Sequence, residues 1–183
     1  MKLPNINILD EKEKILHKVS ENVTFPLSKE DKQNIQDMLK YLEMSQIEEY
    51  ENKYNLRPGM GLAYVQIGIL KRIFVICNEL EDHTFEKFII INPQVISESE
   101  EMIFVGEGEG CLSVNRDVEG IVPRHARITV KYQDMDGNDC TIRVREELAI
   151  AFQHEIDHLN GILFPDKIDP KYPYKGANNA REI

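Results

Sequence analysis

Leu148-Ala-Ile-Ala-Phe-Gln-His-Glu-Ile-Asp-His-Leu159 is the stretch on which the reading of this chain turns. It reads as a helix, and residues four apart on a helix stand over one another on one face, so His154 and His158 can grip a single metal ion between them. Glu155 then lies beside the ion without occupying a coordination position. That placement suits a general base acting on water at the metal. The bland alternative is a pair of packed histidines on one helical turn. A helix this apolar, however, holds a His-Glu-Asp-His cluster comfortably only if something partners it. The chain therefore reads as a metallohydrolase built around a central metal-binding helix.

A third ligand is needed, and the cysteines offer one. Cys77 ends an apolar run and Cys140 falls in a hairpin, so both read as packed thiols. Cys111 differs. It sits in Gly106-Glu-Gly-Glu-Gly-Cys-Leu-Ser113, where three glycines leave the backbone open to close approach. A thiolate there completes a Cys-His-His set and leaves a fourth tetrahedral position for water. The other reading of the segment is a flexible acidic loop.

Composition narrows the class. A chain of 183 residues that is 42% hydrophobic can bury one sizeable core, and no shift in composition marks a second domain. The expectation is one domain over 1–183, with 170–183 a loose tail. Three cysteines at unrelated spacings make no disulfide framework. Neither a signal-like apolar run nor a bilayer-length uncharged stretch is present, so the expected compartment is the cytoplasm, with no membrane partner. A formal net charge of -10 argues against direct DNA binding. The tail lysines Lys167, Lys171 and Lys175, with Arg181, are the only basic cluster, and acids are interleaved with them.

The first fifty residues read as helical and peripheral. Ser28 can cap a helix whose first turn carries Glu30 and Asp31, with Ile35, Met38, Leu39 and Leu42 at i, i+3, i+4 and i+7. Ser45 to Arg57 is polar, a short helix or a loop. Beyond it come β-rich runs: Arg72-Ile-Phe-Val-Ile-Cys77, and Phe88-Ile-Ile-Ile-Asn92, which Asn92-Pro93 should end. Ile128–Tyr132 and Thr141–Arg145 flank a turn whose Asp136-Gly137 signals a hairpin. Strands in the middle and helices at the ends predict an α+β fold with mostly antiparallel sheets.

Three segments, Gly59-Met-Gly-Leu-Ala-Tyr-Val-Gln66, Glu109-Gly-Cys-Leu-Ser113 and Gln153-His-Glu-Ile-Asp-His-Leu159, resemble in order and spacing the three signature motifs of peptide deformylases. Ile90-Ile-Asn-Pro93 and Ile121-Val-Pro-Arg124 extend the likeness over most of residues 10 to 170. The insert before the first motif and the short tail are similar to the subclass of low-GC Gram-positive bacteria. The resemblance implies removal of the formyl group from N-formylmethionyl nascent peptides, by a monomer working near the ribosome exit region. It assigns Cys111, His154 and His158 to one divalent metal and Glu155 to proton transfer. Fe(II) is the expected ion in the cell, although Zn, Ni or Co would also suit such a ligand set. The oxyanion donors it implies are the side-chain amide of Gln66 and the backbone N–H of Leu112. An extended substrate would lie along Gly59, Gly61 and Gly110, and Met60, Ile150 and Ala151 would line the methionine pocket. Glu109 and Arg124 match a pair that steadies the metal loop.

One departure bears on activity. Tyr64 and Val65 stand where the family pattern has Ala, commonly followed by Pro, and a large aromatic there either crowds the core behind the site or points away from it. Two other readings stay open: a zinc endoprotease, against which the lack of any His after His158 counts, and a catalytically weakened deformylase-like metal-binding protein.

Overall fold

The computed structural model describes residues 1–183. Two helices come first, α1 (Lys29–Ser45) and α2 (Glu48–Tyr54), followed by strands β1 (Gly61–Ala63), β2 (Ile73–Glu79), β3 (Phe85–Glu98) and β4 (Met102–Phe104). After a long loop come β5 (Arg124–His125), β6 (Arg127–Gln133), β7 (Asp139–Arg145), the helix α3 (Glu146–Leu159) and a short β8 (Arg181–Glu182). A five-stranded sheet in the order β1-β2-β3-β6-β7 is antiparallel throughout. A three-stranded sheet, β5-β4-β8, pairs β4 with β8 in parallel. The fold is α+β, as the sequence pattern predicts.

Alternation along β2 explains the layering. Every residue from Ile73 to Cys77 is buried, so the strand is covered on both faces. Ile73, Val75 and Cys77 join the core under α1, with Ile35, Met38, Leu39 and Leu42. Phe74 and Ile76 join the other core, where Phe152 of α3 meets Phe74 edge-on at 5.4 Å. The sheet thus lies between α1 and α3, and the His-bearing helix has its apolar side fixed against it.

Local chemistry sets the elements. Ser28 caps α1 through a hydrogen bond from the Asp31 amide at 2.9 Å, an interaction of about 1 kcal/mol. The β6–β7 hairpin turns at Met135-Asp-Gly137, where the Gly137 amide reaches the Asp134 carbonyl and Gly137 takes a φ of 85° that L side chains avoid.

Two expectations from sequence need correction. Residues before Lys29 are not helical beyond one short turn, Lys14–His17. Nor does Asn92-Pro93 end its strand: Asn92 takes a left-handed φ of 51° and β3 runs on through a bulge to Glu98. Asn is suited to that backbone, and its side chain is held by both backbone groups of Val23. The tail from 170 on, read as loose, carries β8. No helix is long and apolar enough to cross a membrane.

Candidate active site

His154 and His158 stand on successive turns of α3, ring centres 5.0 Å apart, and both are buried. The loop between β4 and β5 brings Cys111 to them, its Sγ 3.4 Å from the Nε2 of His158. The sulfur and one nitrogen of each imidazole all lie within 4.8 Å of one another. Ligands at bonding distance around a tetrahedral ion stand roughly 3.5 Å apart, so this set fits a divalent ion with one position left over.

The loop is held from three sides. Gln66 accepts from the Ala63 amide at 2.8 Å through Oε1, which turns its Nε2 toward Ser113 Oγ at 3.0 Å and the Cys111 sulfur at 3.6 Å. The Ser113 amide also donates to that sulfur, at 3.4 Å. From outside, Arg57 donates to the carbonyls of Cys111 at 2.6 Å and Val114 at 3.1 Å.

Glu109 accepts from Nδ1 of His154 at 2.8 Å, which leaves the other ring nitrogen free for the site. Arg124 clamps Glu109 with Nε and Nη2 and reaches Asp157 with Nη1 at 2.8 Å; Lys167 closes the series on Asp157 at 3.1 Å. Burial pushes the Glu109 carboxyl up, but the bonds from His154 and Arg124 and the guanidinium charge outweigh it and hold the group at about 2. Burial pushes His158 well below its usual range and favours the neutral form that a metal ligand needs.

Glu155 is 3% exposed, and its Oε2 has no hydrogen-bond partner in the protein. Burial pushes its carboxyl up to about 7, the range in which a group can both take and return a proton. Gly61 makes room for it: a Cβ at position 61 would stand 2.8 Å from the Glu155 carboxyl carbon.

These groups open onto a cavity of about 370 Å³. Gly59, Met60, Gly61 and Gln66 form one side and Gly110, Cys111 and Leu112 another. Ile150, Ala151, His154 and Glu155 form a third, while His158 is fully buried behind the lining. Sequence reasoning did not single out Arg57, Val105, Glu147 or Ile183, which also line the space. Glu147 lies four residues before Ala151 and seven before His154, so helical periodicity was a signal for it. Nothing local marks Ile183. Tyr64 is absent from the lining: it is fully buried under α1 and donates its hydroxyl to the Asp31 carbonyl at 2.8 Å.

Residues 6–173 match the family described as Polypeptide deformylase. A peptide deformylase of Shouchella clausii is 50% identical over 163 residues, 89% of either chain. Peptide deformylase 2 of Geobacillus stearothermophilus is 45% identical over 177 residues, covering 97% of this chain and 96% of its own. The crystal structure of peptide deformylase from Thermotoga maritima superposes with a TM-score of 0.71 at 31% identity, over 90% of this chain and 98% of that one. Sequence match, shared fold and a family that implies a divalent metal agree with the Cys-His-His cluster beside a buried glutamate, and the chain belongs to the peptide deformylase family.

Proposed function

We infer that this protein is a metal-dependent amide hydrolase that removes the formyl group from the N-terminal formylmethionine of nascent polypeptides and releases formate. The observation that carries the reading is Glu155, buried at the edge of the cavity with an unpartnered carboxylate oxygen, next to a thiol and two imidazoles spaced for one ion.

Cys111, His154 and His158 would hold the ion, Fe(II) in the cell, with Zn, Ni or Co in purified protein. When bound, the ion supplies a Lewis acid that polarises the formyl carbonyl and makes water acidic enough to attack at neutral pH. The chain's own residues supply the rest. Glu155 takes the proton of the attacking water and returns it to the departing amine. The Gln66 Nε2, oriented by the Ala63 amide, and the Leu112 backbone N–H stabilise negative charge on the former carbonyl oxygen. Gly61 and Gly110 leave backbone open for an extended peptide to pair as an added strand, whereas Gly59, expected to do the same, has its amide on Ser45 Oγ at 3.2 Å and its carbonyl on Gln46 Nε2 at 2.9 Å; Met60, Ile150 and Ala151 receive the methionine side chain. Through Arg124 and Glu109, Asp157 keeps His154 in one orientation.

Beyond the shared family activity, we take the protein to work as a single-domain monomer in the cytoplasm, on chains near the ribosome exit, with no DNA or membrane partner. Neither alternative gains support. The side chain that stands with the two imidazoles is a cysteine on a loop, where an endoprotease would want a later His or Glu. Tyr64, the only support for a weakened enzyme, is turned toward α1. A formate-release assay on formyl-methionyl peptide tests the reading: the metal-loaded protein should turn it over and leave acetyl-methionyl peptide and internal peptide bonds intact. Comparable rates on the acetyl peptide would replace it with a broader amidase.

A further inference from the structure

The cavity has one wall that comes from far along the chain. Strand β8 lies parallel to β4, Arg181 beside Ile103 and Glu182 beside Phe104, and the Ile183 amide donates to the Phe104 carbonyl at 3.0 Å. Arg181 fastens the strand from the solvent side, with Nε on Glu101 at 3.1 Å and Nη2 on Glu146 at 2.8 Å. Gly106 has no side chain to stand in the way of Glu182, whose carboxyl carbon would lie 2.7 Å from a Cβ there. The strand is thereby seated so that half-buried Ile183 packs, with Val105, against the cluster of Ile103, Ala126 and Ile150. Val105, Ile150 and Ile183 also line the active-site cavity.

Position along α3 says which part of a substrate meets this wall. Ile150 precedes His154 by four residues, roughly 6 Å along the helix axis from the end of the cavity where the chemistry occurs. A methionyl side chain runs four bonds from its α-carbon to its terminal methyl and covers a similar distance. Glu147 is the one charged side chain that α3 adds to this end of the lining, and beside it Val105, Ile150 and Ile183 form a continuous apolar surface, which gains by burying that methyl.

We propose that Ile183, carried into place by β8, is a specificity-determining residue that closes the apolar pocket around the side chain of the substrate's first residue. The assignment rests on the deformylase reading, and it makes the segment Arg181–Ile183 part of the binding site.

The test compares wild type, Ile183→Ala and Arg181→Ala, each as full-length metal-loaded protein, on formyl-Met-Ala-Ser and formyl-Ala-Ala-Ser. Shortening Ile183 should lower the preference in kcat/KM for the methionyl peptide by about fivefold or more, the scale of lost aliphatic contact in a pocket, with the loss appearing in KM. Arg181→Ala, which loosens the strand without touching the cavity, should shift the ratio in the same direction by less. An unchanged ratio in Ile183→Ala overturns the proposal, and so does an equal loss on both peptides. Should wild type release no formate from either peptide, the deformylase reading fails on its own. The wall is then decided by calorimetric affinity for Met-Ala-Ser: about fivefold weaker binding to Ile183→Ala sustains it, and equal binding sinks it.

Discussion

Tyr64 and Gln66 sit two residues apart on one short turn, both buried, and serve opposite faces of the large sheet. On the α1 face every polar group on the Tyr64 side is met: its hydroxyl rests on the Asp31 carbonyl, and the Asp31 carboxylate takes Lys71 at 2.7 Å and Ser28 at 2.9 Å. On the α3 face Glu155 Oε2 and His158 Nδ1 are buried without partners. A buried unsatisfied group costs roughly 1–3 kcal/mol. Both faces carry satisfied polar networks, but of the three buried polar side-chain atoms without a partner two, Glu155 Oε2 and His158 Nδ1, fall in the candidate site, the third being Ser20 Oγ.

The contrast breaks most sharply at the thiol. Cys111→Ala should lose the metal and formate release together, while the α1 face stays folded; elemental analysis finding about one ion per chain in that variant would remove Cys111 from the ligand set. On the other face, Tyr64→Ala should cost about 3–5 kcal/mol of unfolding free energy in a denaturant titration, yet change activity of the folded enzyme by less than about tenfold. If activity rose by orders of magnitude instead, Tyr64 would belong to the catalytic face. Glu155→Gln inverts the pattern: kcat should fall by about a hundredfold or more, metal content should hold, and the thermal midpoint should stay level or rise as a buried carboxylate becomes neutral. A variant that melts earlier and keeps its rate would undo the division of labour.

The smallest effect belongs to acid. Glu109 titrates at about 2 in the fold against a usual 4.5, so its contribution to stability is complete above pH 4.5 and fades as pH falls toward 2. Glu109→Gln should flatten that part of the stability profile. Identical acid limbs in the two proteins would show that Arg124 and His154 do not hold the carboxylate as described.

What could be read from sequence was what short-range chemistry dictates. The spacing of His154, Glu155 and His158, the Ser28 cap and the Asp136-Gly137 turn each depend on residues within a few positions of one another. Cys111 stood out because glycines surround it. Resemblance to known motifs supplied the roles proposed for Gln66 and Leu112, which their local context alone does not suggest. Arg57, β8 and Ile183 were out of reach, because each exists only through pairings made across the chain. The direction of Tyr64 depended on which face of the sheet α1 would cover. Asn92-Pro93 misled for a different reason: the same dipeptide that stops an isolated strand makes a bulge when partners wait on both sides.

Gln66 and Cys111 are 45 residues apart, and Cys111 and His158 are 47. During synthesis, then, the thiol appears long before the imidazole that completes its surroundings, and the loop around it has nothing to close against until α3 has formed. A chain interrupted between Cys111 and His158 carries the thiol without the completed helix that covers it in the fold. Such fragments should be the form of this protein most easily lost to oxidation.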